Sequence, residues 1–507
     1  MPLSRIYCVS LLGLEALPIE VEVDVSPAEK LGMIIVGLPD TAVRESKERV
    51  LTAVRNGGFQ IGSIFCTVNL APGDLKKEGV LYDLPIALGL LHSLGLLKDH
   101  ANHADYLIVG ELALSGQLRS ISGALAIALL ARKMGKKGVL LPAINANEAA
   151  MVTGIDIFAI NDLKEAVNFL RHPESFQPVK TKPCQSVFKH VHGGVDFVDI
   201  KGQVHVKRAL EVAAAGSHNV ILSGPPGCGK TMMAKALVGI MPELTLEEAL
   251  EVTRIYSISG LLKEGQSLIT KRPFRSPHHT VSYAGLIGGG SMPKPGEISL
   301  AHHGILFLDE LPEFSRVVLE VLRQPLEDGQ VTISRAQGTF TFPTNILCVA
   351  AMNPCPCGYR GHPYKTCKDS EKQIEKYISK ISGPLLDRID MHIDVAPLGH
   401  DEMQQSFVSE PSINIRERVK NARLLQHQRF GKAKTNSQLT SPELARFCLL
   451  DEVCVGLMQT AVKSMNLSAR AWDRILRVAR TIADLDSSQN IDRTHLLEAI
   501  NFRGPFL

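Results

Sequence analysis

The chain has little of what would place it in a membrane or outside the cell. No apolar run approaches the ~18 residues of a membrane span, and the longest, around 84–97, is interrupted by His92. The first residues lack the charged-then-apolar pattern of a secretory signal, and most of the ten cysteines are scattered. We therefore expect a cytoplasmic protein that makes no membrane contact.

Strong net charge, repeats and low-complexity tracts are also missing. The formal net charge of the 507 residues is only +3, with 45% hydrophobic and 21% charged residues. This composition is typical of a globular protein, and the length suggests roughly three domains. Any nucleic-acid contact must then come from local basic patches, because the overall charge does not supply one.

The most informative stretch that is present runs from Gly224 to Thr231 and matches the pattern G-x-x-x-x-G-K-T. An apolar run of strand length precedes it and a helix-forming run follows it. In such a loop, backbone N–H groups surround phosphate oxygens and the lysine reaches the outer phosphates. The predicted nucleotide-contacting residues are Gly224, Pro225, Pro226, Gly227, Cys228, Gly229, Lys230, Thr231 and Met232.

An apolar segment at 305–308 ends in two carboxylates, Asp309 and Glu310. Behind a phosphate-binding loop, this arrangement predicts ATP hydrolysis. The Thr231 hydroxyl and Asp309 would hold Mg²⁺, while Glu310 would polarise the attacking water. ATP and Mg²⁺ are thus the expected substrate and cofactor.

Alternating strand and helix patterns fill residues 1–170. The segments 72–84 and 109–116 resemble the Lon-protease-type fold, which is ribosomal S5 domain 2-like. The positions of that family's catalytic serine and lysine fall near Leu81 and Ile127, so we expect a proteolytically inactive α+β domain. A polar, proline-marked linker is predicted at 171–195.

The expected fold class is a multidomain α/β protein. After the linker, residues 196–400 resemble an AAA+ P-loop α/β domain, and 199–203 resemble its adenine-side box. A Cys-rich insertion is expected at 353–370. Helical periodicity over 401–507 predicts an all-α C-terminal lid.

Three further positions match AAA+ motifs. Asn353 matches sensor 1, Arg388 the arginine finger, and Arg470 sensor 2. A finger acts on a neighbouring subunit, so the resemblance implies a homo-hexameric ring. The plainer alternatives are an ion pair of Arg388 with Asp387 or Asp390, and a surface location for Arg470.

Two insertions resemble those of magnesium-chelatase-type AAA+ ATPases. One is a helix-2 insert with its adjoining loop at 272–302, and the other a pre-sensor-1 β-hairpin at 331–342, with its turn at 336–338. The hairpin could also be purely structural. The predicted DNA-contacting residues in these insertions are Arg272, Arg275, His278, His279, Lys294 and Arg335.

Three cysteines lie within thirteen residues, Cys355, Cys357 and Cys367. Clustered thiols in a reducing compartment favour Zn²⁺ over a disulfide, although unligated thiols remain the alternative. A fourth cysteine is lacking, and the fourth ligand is either Asp369 or His362.

The combination of these features resembles the ComM/YifB family along essentially the whole chain. The resemblance implies an ATP-driven DNA translocase or helicase that promotes branch migration during recombination of incoming DNA in natural transformation. Its partners would be single-stranded and branched DNA and recombination proteins. Two other hypotheses stay open: the motor subunit of a metal chelatase, and a protein-remodelling ring.

Overall fold

The computed structural model describes residues 3–97, 103–180, 194–290, 293–335, 338–397, 409–431, 433–465 and 467–504. The chain divides into two compact units, residues 1–189 with 245–270 and residues 190–244 with 271–507. The first boundary falls within the predicted linker. The grouping of 245–270 with the first unit departs from the continuous 196–400 segment that the sequence suggests. No helix within the described ranges has the length and apolar character needed to span a bilayer.

The first unit is built on a seven-stranded mixed sheet with the order β3-β4-β2-β1-β5-β8-β9. Its strands are β1 Ser4–Leu12, β2 Glu15–Pro27, β3 Gly32–Val36, β4 Ile64–Ala71, β5 Tyr106–Ile108, β8 Gly138–Pro142 and β9 Asp156–Ile160, and a two-stranded ribbon consists of β6 Glu111–Leu112 and β7 Leu118–Arg119. In β2, Ile19, Val21, Val23 and Val25 are buried in alternation with polar residues, as the sequence predicts for a half-buried strand.

The helices of the first unit are Thr41–Asn56, Asp83–Ser93, Ala124–Lys133, Ala143–Ala149, Leu163–Arg171 and Leu246–Ile258, with 3-10 turns at His103–Asp105 and Pro173–Ser175. The Asp40 side chain accepts the Val43 N–H and caps the first of them. The apolar helix Asp83–Ser93 is buried along most of its length.

Helix Leu246–Ile258 starts at a capping box in which Thr245 and Glu248 exchange hydrogen bonds. Near its end, the Ser257 hydroxyl donates to Glu148 Oε1 at 2.5 Å and accepts the Gly123 N–H at 2.9 Å. Glu148 also accepts the Leu125 N–H at 2.9 Å. These bonds explain why 245–270 belongs to the first unit.

The second unit contains a five-stranded parallel sheet with the order β11-β14-β17-β10-β18. Its strands are β10 Val220–Ser223, β11 Phe274–Arg275, β14 Ile305–Leu308, β17 Leu347–Met352 and β18 Met391–Asp394. Strand β10 lies between β17 and β18, and the carboxyl ends of all five strands meet at one edge. Ligands of open parallel sheets bind at this edge.

Two antiparallel ribbons accompany this sheet. They are β12 Gly288–Gly289 with β13 Lys294–Pro295, and β15 Gln330–Arg335 with β16 Gly338–Pro343. The second ribbon is the predicted hairpin, with Val331, Ile333, Phe340 and Phe342 buried on one face. Residues 336 and 337 of its predicted turn lie outside the described residues.

The helices of the second unit are Val204–Gly216, Lys230–Ile240, Tyr283–Ile287, Glu297–Leu300, Arg316–Val321, Arg323–Asp328, Glu371–Ile378, Gly383–Leu386, Ser412–Phe430, Ser441–Phe447, Glu452–Met465, Ala469–Leu485 and Arg493–Asn501, with 3-10 turns at Phe197–Asp199, Leu311–Glu313 and Asn436–Gln438. The predicted C-terminal helices are therefore present. Ile475, Val478 and Ile482 share the buried face of Ala469–Leu485 and join the same apolar core as the sheet.

A candidate nucleotide site at the edge of the parallel sheet

The Gly-rich loop leaves the end of β10 and enters helix Lys230–Ile240. Gly227 and Gly229 have φ angles of +84° and +88°, a conformation that glycine adopts without strain. A Cβ on Gly224 would lie 2.4 Å from the Val395 carbonyl oxygen, so only glycine fits there. The loop therefore passes close to β18 and ends at the start of a helix, where an anion is favoured.

The Lys230 ammonium group lies at the centre of this loop. Its Nζ donates to the carbonyl oxygens of Gly224 at 2.6 Å and Pro225 at 2.9 Å. It is also 3.2 Å from Asn353 Oδ1. The lysine is thus held inside the loop by neutral oxygens, which a phosphate oxygen would outcompete because it is charged.

Cys228 and Met232 support the loop from the protein side. The Cys228 side chain is buried in the core of the second unit, with its Sγ 3.7 Å from Lys230 Nζ. Met232 is half-buried against the same core. The structure therefore shows packing contacts for these two residues, whereas Pro226, Gly227 and Thr231 are exposed.

The two carboxylates follow β14 and face the start of the P-loop helix. Thr231 Oγ1 donates to Asp309 Oδ2 at 2.9 Å, and Asp309 Oδ1 accepts the Glu310 N–H at 3.0 Å. Glu310 has a φ of +53° and a side chain that is 59% exposed. A left-handed non-glycine residue costs ~1–3 kcal/mol and is common at functional sites. Hydroxyl and carboxylate oxygens are the donors that Mg²⁺ prefers.

Asn353 closes the site from the neighbouring strand, because it directly follows β17. Its side-chain oxygen faces Lys230, and its backbone is hydrogen-bonded to the Tyr377 hydroxyl. Three segments that are far apart in sequence are thereby joined by direct contacts at one edge of the sheet, Lys230 with Asn353 and Thr231 with Asp309.

A cavity of about 600 Å³ lies in the second unit beside the predicted adenine-side box. Its walls include Gly202, Gln203 and His205 at the start of one helix and Ile415 on another. A volume of this size is typical of sites for small molecules such as a nucleoside base.

Comparison with known proteins agrees with this geometry. The family described as "Magnesium chelatase, subunit ChlI" matches residues 196–403, "Subunit ChlI of Mg-chelatase" matches 21–145, and "Magnesium chelatase, subunit ChlI C-terminal" matches 409–503. Competence protein ComM of Haemophilus influenzae is 42% identical over 510 residues, covering 99% of this chain and 98% of its own. The chain belongs to the ComM/YifB family.

Two other relatives fit the same picture. YifB of Escherichia coli is 41% identical over 506 residues, which is 99% of this chain and 97% of YifB. Lon protease 2 of Bacillus subtilis is 29% identical over 146 residues, 28% of this chain and 26% of its own. This ComM/YifB-family chain is therefore a magnesium-chelatase-like AAA+ protein with mixed α/β architecture.

In this family member, Arg388 contacts residues of its own chain. Its guanidinium donates to the Pro384 carbonyl oxygen at 2.9 Å and pairs with Glu327. The structure pairs Arg388 with neither Asp387 nor Asp390, the two partners considered from the sequence. Asp390 pairs with Arg474 instead, and Asp387 lies 3.8 Å from Arg503.

Arg470 is exposed on the first turn of helix Ala469–Leu485, one turn before Arg474. Arg474 and Asp390 form a largely buried ion pair, which the sequence alone does not indicate. Asp390 also accepts the Asn219 N–H at 2.9 Å, and Asn219 precedes β10. Burial alone would raise the pKa of the Asp390 carboxyl, but Arg474 and His218 outweigh it and hold that pKa well below its usual range.

Two of the predicted DNA-contacting arginines are engaged inside the protein. Arg272 is buried and donates to the carbonyl oxygens of Pro242, Glu243 and His303, at 2.6 to 3.2 Å. Arg275 forms two bonds of 2.6 Å to Glu297. Through these contacts Arg272 anchors the start of the insert in this conformation, and its contact with DNA stays a prediction.

The other basic residues of the insertions are more accessible. Lys294 and Arg335 are exposed, and a Cβ on Gly289, which pairs with Lys294, would lie 3.7 Å from Arg335 Nη2. The hairpin end and the insert ribbon therefore form one basic surface. His278 is exposed and stacks on His279, whose Nδ1 is 3.6 Å from Glu310 Oε2.

The three clustered cysteines meet in the segment between β17 and helix Glu371–Ile378. Their sulfur atoms are 3.5 to 3.6 Å apart. Asp369 Oδ2 lies 3.8 Å from Cys367 Sγ and accepts the Cys357 N–H at 2.8 Å. His362 is not part of this group, and its Nδ1 accepts the Tyr364 N–H at 3.1 Å.

Proposed function

We propose that this chain is the ATP-hydrolysing subunit of a hexameric, ring-shaped DNA translocase. Its task would be branch migration during homologous recombination of incoming DNA in natural transformation. The observation that carries the ATPase part is the contact set of Lys230 with Asn353 and Thr231 with Asp309. The assignment to DNA rests on the full-length similarity to a competence protein and on the basic surface of Lys294 and Arg335.

Each residue of the site has a distinct role in this proposal. Lys230 and the loop N–H groups bind the phosphates, and Thr231 and Asp309 would hold Mg²⁺, which would supply positive charge to the phosphate oxygens. Glu310 orients and polarises the attacking water, and Asn353 positions the γ-phosphate. The base occupies the cavity beside Gln203 and His205. Arg470 reports the nucleotide state to the lid.

Arg388 completes the site of the neighbouring subunit. Transition-state charge on the transferred phosphoryl group is stabilised by an arginine, worth ~10³-fold or more in rate. In the single subunit this arginine is paired with Glu327. A ring interface would have to offer it the γ-phosphate instead, which makes hydrolysis dependent on assembly.

The His278–His279 pair provides a route from DNA to catalysis. His279 lies against Glu310, and the exposed His278 stacks on it with ring centroids 4.1 Å apart. A phosphate bound at His278 would compete with Glu310 for the adjacent His279. Glu310 would then be released for water activation. DNA binding at the insert would therefore stimulate hydrolysis.

The metal-chelatase motor is the second candidate, because the matching family descriptions carry the chelatase name. A protein-remodelling ring is the third. Both predict ATP turnover at the same site, but neither predicts that a DNA junction moves or that hydrolysis responds to DNA.

A branch-migration assay separates these proposals. Purified protein is incubated with ATP, Mg²⁺ and labelled three- and four-stranded junctions, and ATP turnover is followed with and without DNA. We expect junction movement by the wild type and by Lys235→Ala, an exposed position on the same helix, and none by Lys230→Ala. Wild-type protein that hydrolyses ATP without DNA stimulation and leaves the junctions in place would refute the DNA-motor proposal.

A further inference from the structure

The sulfur atoms of Cys355, Cys357 and Cys367 form a nearly equilateral triangle with sides of 3.5, 3.6 and 3.6 Å. Thiolates on a tetrahedral zinc ion, with Zn–S of about 2.3 Å, are about 3.8 Å apart. A disulfide requires an S–S distance of about 2.0 Å, and it would leave the third thiol unused. The triangle therefore has the dimensions of one face of a metal-centred tetrahedron.

Asp369 stands at the fourth vertex. Its Oδ2 and the three sulfur atoms lie within 4.8 Å of one another. The same oxygen accepts the Cys357 N–H, which fixes the carboxylate beside the thiols. A carboxylate oxygen has lone pairs for both an amide and a metal, so this bond orients the ligand without consuming it. The geometry selects Asp369 over His362.

The surrounding segment has few buried residues to hold it in shape. Between 353 and 370 the buried residues are Pro354, Cys355 and Gly358, and most of the others are exposed. So few apolar contacts cannot fix a segment of this length, and short segments of this kind are commonly stabilised by a structural metal. The four proposed ligands lie near its two ends and would close it.

The same segment rests on the phosphate-binding loop. A Cβ on Gly358 would lie 2.6 Å from Pro226 Cδ, so the two backbones are in close contact. Asn353, two residues before Cys355, faces Lys230 at 3.2 Å. A metal that fixes this segment would therefore also fix one wall of the nucleotide site.

We propose that Cys355, Cys357, Cys367 and Asp369 bind one structural Zn²⁺ per chain and that this ion holds the 353–370 segment against the phosphate-binding loop. On binding, three thiol protons pass to solvent and three thiolates and one carboxylate coordinate the metal. No oxidation or reduction takes place. The metal site stands on its own geometry, whereas its effect on nucleotide binding rests on the proposed ATPase function.

Metal content tests the site itself. Protein purified without chelator is analysed for zinc, and metal-free protein is titrated with Co²⁺, whose absorption bands report tetrahedral thiolate ligation. We expect one zinc per chain in the wild type, in His362→Ala and in Cys448→Ala, and weakening of at least roughly tenfold in Cys367→Ser and Asp369→Ala. Absence of zinc together with failure to take up Co²⁺ would overturn the site, as would full retention in Cys367→Ser.

The link to the nucleotide is measured separately. Wild-type protein is freed of metal with a chelator, and circular dichroism confirms that it remains folded. A fluorescent ATP analogue is then titrated before and after Zn²⁺ is restored. We expect affinity to fall about tenfold without the metal and to recover with it, as for other residues and ions that orient a site. Unchanged affinity in folded, metal-free protein would overturn the coupling but not the metal site, and absence of nucleotide binding with zinc present would refute the ATPase proposal alone.

Discussion

Replacement of Asp390 by asparagine should destabilise the second unit severely. The Asp390 carboxylate is 2% exposed and pairs with Arg474, which is 13% exposed. Arg477 and Arg503 also contribute positive charge around it. One carboxylate thus contributes to balancing several partly buried guanidinium groups, and the asparagine side chain removes that negative charge.

The size of the effect follows from this burial. Removal of one partner from a buried ion pair costs ~3–5 kcal/mol, because the remaining charge is uncompensated. If the free energy of unfolding falls by ~3 kcal/mol per molar urea, the midpoint of urea unfolding should fall by about 1 M or more. Asp387→Asn is the matched control. The Asp387 side chain is 38% exposed and lies 3.8 Å from its partner Arg503. We therefore expect this variant to lose less than ~1 kcal/mol in free energy of unfolding.

Urea unfolding near Arg474 can be followed by the fluorescence of a natural tryptophan. Trp472, the single tryptophan of the chain, lies two residues before Arg474 and packs against the core of the second unit. Its fluorescence during urea unfolding reports this helix directly. A midpoint for Asp390→Asn no lower than that of Asp387→Asn would refute the argument. A second variant, Asp390→Asn with Arg474→Met, should recover part of the loss, because it removes both charges.

The Asp390 carboxyl also makes the stability of the second unit depend on pH. The pKa of the Asp390 carboxyl is lower in the folded state than the ordinary value of about 3.9. Its contribution to the free energy of unfolding is therefore fully present above about pH 3.9. The contribution is lost as the pH falls through the folded-state pKa. We expect the stability difference between wild type and Asp390→Asn to be constant near neutrality and to shrink in acid. A difference that grew below pH 4 would contradict the assigned sign.

Three further predictions concern the proposed motor. Thr231→Ala should raise the Mg²⁺ concentration needed for half-maximal ATP turnover about tenfold, whereas Thr231→Ser should behave as wild type because it keeps the hydroxyl. Arg388→Ala should bind ATP normally yet lose ~10³-fold in turnover, and mixing it with the inactive Lys230→Ala variant should restore part of the turnover, because some sites then combine an intact loop with an intact arginine of the neighbour; mixed rings without any restored turnover would refute a finger acting between subunits. His279→Ala should increase ATP turnover without DNA and reduce stimulation by DNA, while His278→Ala should reduce the stimulation alone; equal behaviour of both variants would refute the proposed route.

The periodic parts of the fold could be predicted from the sequence. Strand β2 alternates buried apolar residues with more exposed polar ones, and helix Asp83–Ser93 is apolar over most of its length. The loop from Gly224 to Thr231 is recognisable because its chemistry depends on spacing within one segment. In each case neighbours in sequence carry the signal.

Pairings between distant segments could not be predicted in the same way. The sequence offered Asp387 and Asp390 as partners for Arg388, since they are adjacent, but the structure pairs it with Glu327. Nothing in the sequence near Arg272 indicates that three backbone carbonyls from distant segments converge on it. The fourth vertex of the Cys cluster was likewise ambiguous until Asp369 and His362 could be placed in space.

The helix Leu246–Ile258 has a consequence for how the protein can be divided. Because 245–270 folds with residues 1–189, the chain crosses between the two units three times, near 189, 244 and 270. A cut in the proline-marked linker would therefore not release two independent halves. A fragment beginning at 196 would carry a helix whose partners Gly123 and Glu148 had been deleted. The N-terminal part of this protein is consequently not a detachable accessory, and a separable fragment of the second unit would need 245–270 replaced by a short polar connection.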